Sequence, residues 1–336
     1  MNFNSLDVMK PFSAKAPVSV AAFGELLIDF SPECVAPDGY PVIAAHPGGA
    51  PANYISALAA FGAKTALLAK VGNDAFGKLL ISTISEKGID TRGIVVSDDV
   101  FTTLAFVTLD ESGDREFSFA RKPGADMSIT SAEINTEVID AADCFHFGTL
   151  SLTDSPAREA TIFAVNYAKQ HNKLISFDPN LRRPLWKDFG EAKRQILWGL
   201  EQADVLKISD EEVEFLFGQL AIEDAAQRLI SEFNIHLVFI TCGKDGCAFA
   251  TEHCFGNIPS VPGIKAVDTT GAGDIFGGSA MWKLLSTGKA IDQLTYEDLY
   301  CIAKFACTSA GLSTQTYGGI SSVPSLSQVV NFLNRE

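Results

Sequence analysis

The chain has 336 residues, of which 47% are hydrophobic, so it can bury a large core and does not belong to the disordered class. Its 41 acidic and 26 basic side chains give a formal charge of −15, which disfavours nucleic acids and acidic membranes as partners. The seven cysteines form no CxxC pair, which predicts free thiols, and the five scattered histidines predict no structural zinc. The sequence shows no secretory signal before Pro17 and no apolar run long enough to span a membrane, so we expect a cytoplasmic protein that acts on small molecules.

The first predicted strand covers residues 18–23 and ends at Gly24. The next apolar run, residues 26–30, contains Asp29. This acid either caps a turn into the polar loop that follows, or lies at the carboxyl end of a strand, where open α/β sheets place ligand-binding groups. Residues 31–45, with three prolines and a glycine, predict a short β excursion rather than a helix.

Residues 46–53, HPGGAPAN, precede a helix predicted at residues 52–61, with a proline near its first turn. Two interpretations stay open for this stretch. It is either a tight loop before a helix, or a ligand site in which Gly48 and Gly49 bring the backbone close to a ligand while Asn53 bonds its hydroxyls.

A strand predicted at residues 65–71 leads into GNDAFGK, residues 72–78, which has the spacing of a phosphate-binding P-loop. Leu79 stands where a P-loop needs a hydroxyl for Mg²⁺. The sequence therefore argues against a P-loop, and we expect Gly77 and Lys78 on a helix surface.

Residues 101–108 and 115–120 alternate polar and apolar side chains around the turn-forming segment 110–114, which predicts a β-hairpin. Together with residues 31–45, the hairpin would form a small separate sheet. Such a sheet can act as a lid that excludes water from a site. Arg121 follows directly, either as a ligand contact or as a charge on the solvated rim.

From Asp143 onward the sequence alternates strands and helices, which indicates a parallel sheet covered by helices on both faces. The predicted strands are 144–147, 174–177, 205–208 and 237–241, with a short β pair from 247, and the helices are 157–170, 192–202, 211–217, 225–233, 298–312 and 326–333. Polar clusters follow three strands, at 178–182, 209–212 and 241–246, and we expect them on one sheet edge. Helix capping explains most of these side chains, whereas Glu212 is a candidate to hold Mg²⁺ through water.

The stretch at residues 267–278, VDTTGAGDIFGG, combines helix-start residues with bare glycines, and predicts a helix that begins near Gly271 or Ala272. Unpaired N–H groups at a helix start suit a phosphate, and the glycines let it approach. Asp274, in the first turn, is placed to take the proton of an attacking hydroxyl. The alternative is an ordinary capped helix whose first-turn acid complements the helix dipole.

Taken together, HPGGAPAN and VDTTGAGDIFGG, in this order and separation, resemble the two signatures of the ribokinase-like sugar kinases, the PfkB family. GELLIDF, FxFARKPGADM and DPNLR make the chain most similar to the fructokinases. The resemblance implies a three-layer α/β/α Rossmann-like core with a small β-sheet lid. It implies one kinase domain over residues 18–324, with lid strands from about 31–45 and 100–121, and a C-terminal helix at 325–336 packed on the same domain.

The resemblance also implies ATP- and Mg²⁺-dependent phosphorylation of the primary hydroxyl of a sugar. Fructose is the first candidate, with ribose, a riboside or 2-keto-3-deoxygluconate as alternatives, and a non-catalytic sugar-binding regulator as the rival class. The implied residues fall into four groups. They are the base Asp274 with the anion hole at Gly271, Ala272 and Gly273; the sugar positions Asp29, Gly48, Gly49 and Asn53; the weaker sugar candidates Arg121 and Arg182; and the nucleotide loop at Thr241, Gly243 and Gly246.

One position departs from the family pattern. The NxxE motif, associated with Mg²⁺ and phosphate, is present as Ser209 to Glu212, so the glutamate carries over while a shorter serine replaces asparagine. The resemblance further implies a homodimer formed through the lid, and a site for K⁺. The residues that match this K⁺ site are Asp268, Thr270, Ser313, Gly318 and Ser322.

A nicotinamide dehydrogenase is a second rival, because Gly271, Gly273 and Gly277 mimic a dinucleotide fingerprint. That fold needs a further strand ending in an acid about 20 residues on. Residues 286–312 predict another helix instead, which argues against it.

Overall fold

The computed structural model describes residues 19–109 and 115–335. Its strands are β1 Ser19–Phe23, β2 Leu27–Val35, β3 Pro41–Gly48, β4 Lys64–Gly72, β5 Asp90–Ser97, β6 Leu104–Leu109, β7 Arg115–Ala120, β8 Cys144–Gly148, β9 Leu174–Asp178, β10 Val205–Ser209, β11 Leu237–Thr241, β12 Cys247–Thr251 and β13 Cys254–Ile258. The α-helices are α1 Ala50–Ala60, α2 Ala75–Glu86, α3 Thr136–Asp140, α4 Ala157–Gln170, α5 Phe189–Gln202, α6 Asp210–Phe217, α7 Ile222–Phe233, α8 Ala272–Ser286, α9 Tyr296–Ser313 and α10 Leu326–Leu333.

The larger sheet has nine strands in the order β13-β12-β11-β10-β9-β8-β1-β4-β5. The pairs from β5 to β11 are parallel, and only β12 and β13 run antiparallel to their neighbours. Parallel strands joined by helices place their carboxyl ends on one edge of the sheet. The polar clusters after β9, β10 and β11 therefore lie side by side, and Ser209 is the register partner of Thr241.

Two apolar layers pack on the two faces of this sheet. Along β1 the side chains alternate, with Val20 and Ala22 in one cluster and Ala21 and Phe23 in the other. Helices α1, α8 and α9 contribute to the first cluster, and α4, α5 and α7 to the second. This arrangement confirms the three-layer α/β/α core, because a strand buried on both faces needs helices on each side.

The smaller sheet has four strands in the order β3-β2-β6-β7. Strand β2 pairs with β6 in parallel, and β6 with β7 antiparallel, so residues 31–45 and the hairpin share one sheet as predicted. The hairpin segment 110–114 lies outside the described residues. Asp29 lies neither in a turn nor at the carboxyl end of a strand, as the two sequence interpretations had it. It lies within β2 of this small sheet, opposite His46 of β3 and Ala105 of β6.

Most helix and strand positions agree with the sequence prediction, but α3 was not predicted, α7 begins at Ile222 rather than at residue 225, and α9 begins at Tyr296 rather than at residue 298. Strand β5 was not predicted, and helix α5 begins at Phe189 rather than at residue 192. The prediction that Gly77 lies on a helix surface is wrong. Gly77 is buried, and a Cβ there would lie 2.0 Å from the Gly72 carbonyl oxygen. Asp74 caps this helix through the N–H groups of Phe76 and Gly77, so the GNDAFGK segment is a packed helix start.

Among the described residues, no helix combines the length and the hydropathy that crossing a bilayer requires.

Candidate active site

A cavity of about 210 Å³ lies between the small sheet and the carboxyl edge of the large one. The small sheet contributes Leu27, Asp29 and Phe119, and the large sheet contributes the segment after β9. The remaining wall comes from the two glycine-rich segments. The lining residues are Glu25, Leu27, Asp29, Gly49, Ala50, Asn53, Phe119, Leu150, Asn180, Arg182, Thr269, Thr270, Gly271 and Asp274.

Asp274 lies in the first turn of α8 and is buried. One carboxylate oxygen accepts a hydrogen bond from Asn53 Nδ2 at 2.9 Å, and the other accepts one from Asn180 Nδ2 at 3.0 Å. Burial raises the pKa of Asp274 above its ordinary value, while Arg182, the Asn53 bond and Lys207 act against this shift. The carboxylate is therefore fixed in direction and is a stronger base than an exposed aspartate.

The start of α8 is open to an anion. Gly271 is the N-cap with φ 74°, a left-handed conformation that glycine adopts without strain, and it lines the cavity. Helix N–H groups at this position lack partners within the helix and carry the positive end of its dipole. The Ala272 N–H donates to the Thr269 carbonyl oxygen, just outside the helix, at 3.2 Å. A Cβ on Gly273 would lie 3.0 Å from Lys207 Nζ, so a buried ammonium group lies beside the same helix turn.

The carboxyl group of Asp29 lines the opposite part of the cavity. Burial raises its pKa from 3.8 to about 7, against the lowering effect of Arg182. Gly48 and Gly49 are required by contacts inside the protein. A Cβ on Gly48 would lie 2.3 Å from Asp29 Oδ2, and a Cβ on Gly49 would lie 2.3 Å from the Glu25 carbonyl oxygen. Of these two glycines, Gly49 also lines the cavity.

Asn53 leaves an acceptor unused. Its amide nitrogen bonds Asp274, but no hydrogen-bond partner reaches its buried Oδ1 from residues 19–109 and 115–335. A buried acceptor without a partner costs about 1–3 kcal/mol. This atom therefore favours a ligand that donates a hydrogen bond, such as a hydroxyl.

Arg121 and Arg182 have different surroundings. Arg182 lines the cavity and acts on the charges of Asp29 and Asp274. Arg121 is buried but is not among the lining residues, because its guanidinium is held by Asp126 at 2.7 Å and by the Leu150 carbonyl at 2.9 Å. Arg121 is 3% exposed, so the alternative of a charge on the solvated rim is wrong, and the residue forms a buried ion pair with Asp126 next to the site.

Ser209 and Glu212 form a capping box at the start of α6. The Ser209 hydroxyl accepts from the Glu212 N–H, and Glu212 Oε2 accepts from the Ser209 N–H at 2.8 Å. Glu212 Oε1 accepts from the Leu181 N–H at 2.7 Å, which joins the loops after β9 and β10. Each carboxylate oxygen keeps a second lone pair, so Glu212 fits a water-mediated Mg²⁺ contact. Serine here serves as a helix cap.

The expected nucleotide loop lies at the end of β11, next to Ser209. Thr241 ends the strand, and Gly243 and Gly246 have φ of 51° and 99° around a tight turn. A Cβ on Gly246 would lie 2.0 Å from the Ile258 carbonyl oxygen, so this turn packs tightly on β13. These residues share the sheet edge with the cavity but do not line it.

The residues expected to hold K⁺ are partly brought together. Asp268 accepts hydrogen bonds from the N–H groups of Thr270 and Gly318, at 2.9 and 2.8 Å. The hydroxyls of Ser313 and Ser322 donate to the backbone carbonyls of Ala310 and Gly319. In the part of the chain that the structure describes, no three His, Cys, Asp or Glu side chains are grouped so as to hold a metal.

The prediction from sequence assigned no individual role to three polar side chains in or beside this site: Glu25, Asn180 and Lys207. Glu25 lines the cavity and accepts from the Ala50 N–H at 2.8 Å, and burial raises its pKa to about 7. Lys207 pairs with Asp178 at 3.1 Å. A usable signal was present, because Glu25 lies in the apolar stretch between β1 and β2 and Lys207 interrupts the apolar strand β10, where a charged residue needs a reason.

Comparison with known proteins extends over almost the whole chain. A model described as the pfkB family carbohydrate kinase matches residues 18–326. Fructokinase-2 of Solanum lycopersicum is 39% identical over 319 residues, which cover 94% of this chain and 95% of the relative. A solved fructokinase from Xylella fastidiosa with bound ATP has a TM-score of 0.86 at 29% identity, covering 94% of this chain and 98% of that one. A fructokinase double mutant from Vibrio cholerae O395, in a form with bound fructose, ADP and potassium ion, has a TM-score of 0.84 at 29% identity, covering 96% and 100%.

Proposed function

The chain belongs to the pfkB family of carbohydrate kinases, and from this premise we propose that it transfers the γ-phosphoryl group of ATP to the primary hydroxyl of D-fructose, giving fructose 6-phosphate. The observation that carries the proposal is the setting of Asp274. Its carboxylate lines the cavity in the first turn of a helix, with both oxygens held by amide N–H groups. A base and an anion-binding helix start are thus presented to the same small space.

The sugar occupies the cavity with its terminal hydroxyl directed at Asp274. Asn53 Oδ1 and the Asp29 carboxyl group bond sugar hydroxyls, which satisfies the unpaired acceptor of Asn53. The terminal phosphoryl group of ATP lies at the N–H groups of Gly271, Ala272 and Gly273. As the hydroxyl attacks, Asp274 accepts its proton and the helix start stabilises the phosphoryl oxygens. The small sheet excludes water, so that hydrolysis does not compete with transfer.

The nucleotide extends from the helix start toward the turn at Thr241, Gly243 and Gly246 on the neighbouring strand end. Glu212 would hold Mg²⁺ through water, and the ion would neutralise charge on the phosphate oxygens. The Asp268 and Gly318 segment would hold a K⁺ ion beside the loop that leads into α8. The Vibrio cholerae fructokinase that contains ADP and a potassium ion supports nucleotide and monovalent-ion use in this fold.

We propose fructose rather than another sugar as the substrate, because the relatives with 37–39% identity are named fructokinases and a solved relative contains fructose. A keto-acid sugar needs a cation for its carboxylate. Arg121 is occupied by Asp126, so among the two arginines considered only Arg182 lies where it can serve. Arg182 also acts on Asp29 and Asp274, which favours a neutral sugar.

The test is ADP release from MgATP, with and without K⁺, against fructose, ribose, glucose, an aminoimidazole riboside and 2-keto-3-deoxygluconate. We expect saturable turnover with the highest kcat/KM for fructose. Preference for another sugar on the panel would leave a kinase but reject fructose as its substrate. Absence of turnover with every sugar, in a protein that binds fructose by calorimetry, would favour a regulator over an enzyme.

We also propose a homodimer formed through the small sheet. Strand β3 is an edge strand, and it carries the exposed apolar side chains Val42 and Ile43 next to Tyr40, which is 71% exposed. An edge strand with exposed apolar groups is a pairing surface. Light scattering coupled to gel filtration tests the proposal: I43D should convert the dimer to a monomer, whereas the wild type running as a monomer at micromolar concentration would refute it.

A further inference from the structure

Lys207 is a buried cation that the proposed reaction has not yet used. It is the third residue of β10, between Leu206 and Ile208, which are fully buried. Its side chain is only 12% exposed, and Nζ lies 3.1 and 3.3 Å from the two oxygens of Asp178. Lysine is almost never buried in a parallel sheet unless it is paired, so the position calls for a specific explanation.

The ammonium group of Lys207 lies against the start of α8. A Cβ added to Gly273 would lie 3.0 Å from Lys207 Nζ, so the ammonium group lies next to the first turn of α8. A cation near a helix N-terminus is repelled by the helix dipole. Two positive features, the ammonium and the helix start, therefore converge on one region, as they would around an anion.

Three carboxylates offset this repulsion in the structure. Burial acts to lower the pKa of Lys207, but Asp178, Glu212 and Asp274 together raise it above its ordinary value, so the side chain is charged at neutral pH. These three acids outnumber the one ammonium, and those that are ionised repel a phosphoryl group. An incoming phosphoryl group would meet this repulsion, unless a cation moves to face it.

We propose that Lys207 contacts the transferred phosphoryl group, exchanging its contact with Asp178 for the γ-phosphoryl oxygens of the nucleotide. The inference rests on the proposed kinase function and assigns a catalytic role to a residue outside both signatures. In the transfer, the bond from phosphorus to the ADP oxygen breaks and a bond to the sugar oxygen forms. The hydroxyl proton goes to Asp274, and Lys207 keeps its own proton throughout.

The test compares K207M and K207R with a matched control, K70M. Lys70 is also a buried lysine in a parallel strand, with an 11% exposed side chain paired to Glu133 at 2.7 Å. Its Nζ also donates to the Ser128 carbonyl oxygen, whereas Lys207 Nζ lies beside Gly273 at the start of α8. Calorimetry measures binding of MgADP and of Mg adenylyl imidodiphosphate, a triphosphate that does not transfer. Steady-state assays measure kcat and KM, and thermal unfolding measures stability.

We expect K207M to lower kcat by about 10²–10³-fold, as for loss of one donor to a transition-state anion. Binding of the triphosphate should weaken by about tenfold or more, with MgADP affinity within about threefold. K207R should bind the triphosphate within about threefold of wild type, and K70M should lose only stability. Equal weakening of both nucleotides in K207M, a triphosphate loss in K207R as large as that in K207M, or the same kinetic losses in K70M, would overturn the proposal.

Failure of the kinase function gives a different pattern. If the wild type phosphorylates no sugar but K207M selectively loses the triphosphate, the role of Lys207 stands and the proposed substrate falls. If the wild type does not bind the triphosphate at all, the role of Lys207 falls.

Discussion

Adding one methyl group at Gly278 should separate the two helices that hold the candidate site. A Cβ at Gly278 would lie 2.1 Å from the backbone oxygen of Tyr54 in α1, where ordinary contacts begin at 3.4 Å, so the helices must separate by about 1.3 Å. Overpacking of this kind costs about 1–3 kcal/mol, and the better helix propensity of alanine offsets about 1 kcal/mol. We expect G278A to lose up to about 2 kcal/mol of stability.

The neighbouring glycine provides the matched control. A Cβ at Gly277 would meet the Tyr54 ring at 3.2 and 3.3 Å, which a ring can relieve by a few tenths of an ångström. The free energy of unfolding of G277A should therefore stay within about 1 kcal/mol of wild type, because the gain in helix propensity offsets the close contact with the Tyr54 ring.

The same displacement should also lower the rate of catalysis. Asn53 and Tyr54 are adjacent in α1, and Asn53 holds Asp274 at 2.9 Å across the helix contact. A misplacement of about 1 Å can cost about 10²-fold in rate. G278A should lower kcat/KM by about 10- to 100-fold and Tm by up to about 3 °C, measured by ADP release and calorimetry. Equal Tm and kcat/KM for G278A and G277A would refute the reasoning.

Three further outcomes are expected. D274N should lower kcat by about 10²–10⁴-fold with MgATP affinity unchanged within about threefold, and near-normal turnover would reject Asp274 as the base. N180A removes a hydrogen bond to the ionised form of Asp274, worth about 1.5 kcal/mol or tenfold in proton affinity, so the acid limb of the kcat/KM profile should move to higher pH rather than stay in place. For Asp29, whose pKa burial raises from 3.8 to about 7, stability falls as pH rises through this interval, so D29N should raise Tm relative to wild type at pH 8 but not at pH 4, and an equal change at both would contradict the assignment.

The elements that sequence periodicity predicted are those whose neighbours are set locally. Helices α4 and α10 and strand β11 have the bounds expected from their apolar spacing and caps. Strand β5 was missed because it is an edge strand whose run is broken by Arg92 and Gly93, and Val96 is 49% exposed. A half-exposed edge strand carries only a weak alternation signal.

The positions of Asp29 and Arg121 show what local patterns omit. The sequence marked Asp29 as an acid in an apolar run, but only strand pairing shows that it belongs to a second sheet facing the cavity. Arg121 was marked as a ligand or a rim charge, although a partner, Asp126, lies five residues on. Burial decides between such roles, and burial depends on contacts between distant segments.

Asn180 and Lys207 were missed for a related reason. Lys207 belongs to no motif that the sequence analysis used, and Asn180, although it lies within DPNLR, follows a strand end, where helix capping is the ordinary explanation of a polar residue. Their importance comes from the parallel order β9-β10 beside the start of α8, which brings them to Asp274 and Gly273.

Carboxyl groups in and beside the cavity can also take up and release protons near neutral pH. Burial raises the pKa of Glu25 and Asp29, which line the cavity, to about 7, and does the same for Asp178 beside Lys207, so these carboxyl groups titrate near neutral pH. A bound cation lowers such pKa values, and the released protons pass to the buffer. Heats of metal–nucleotide binding should therefore differ between phosphate and Tris, whose ionisation enthalpies differ, and a pH indicator should record a proton burst that precedes the steady state.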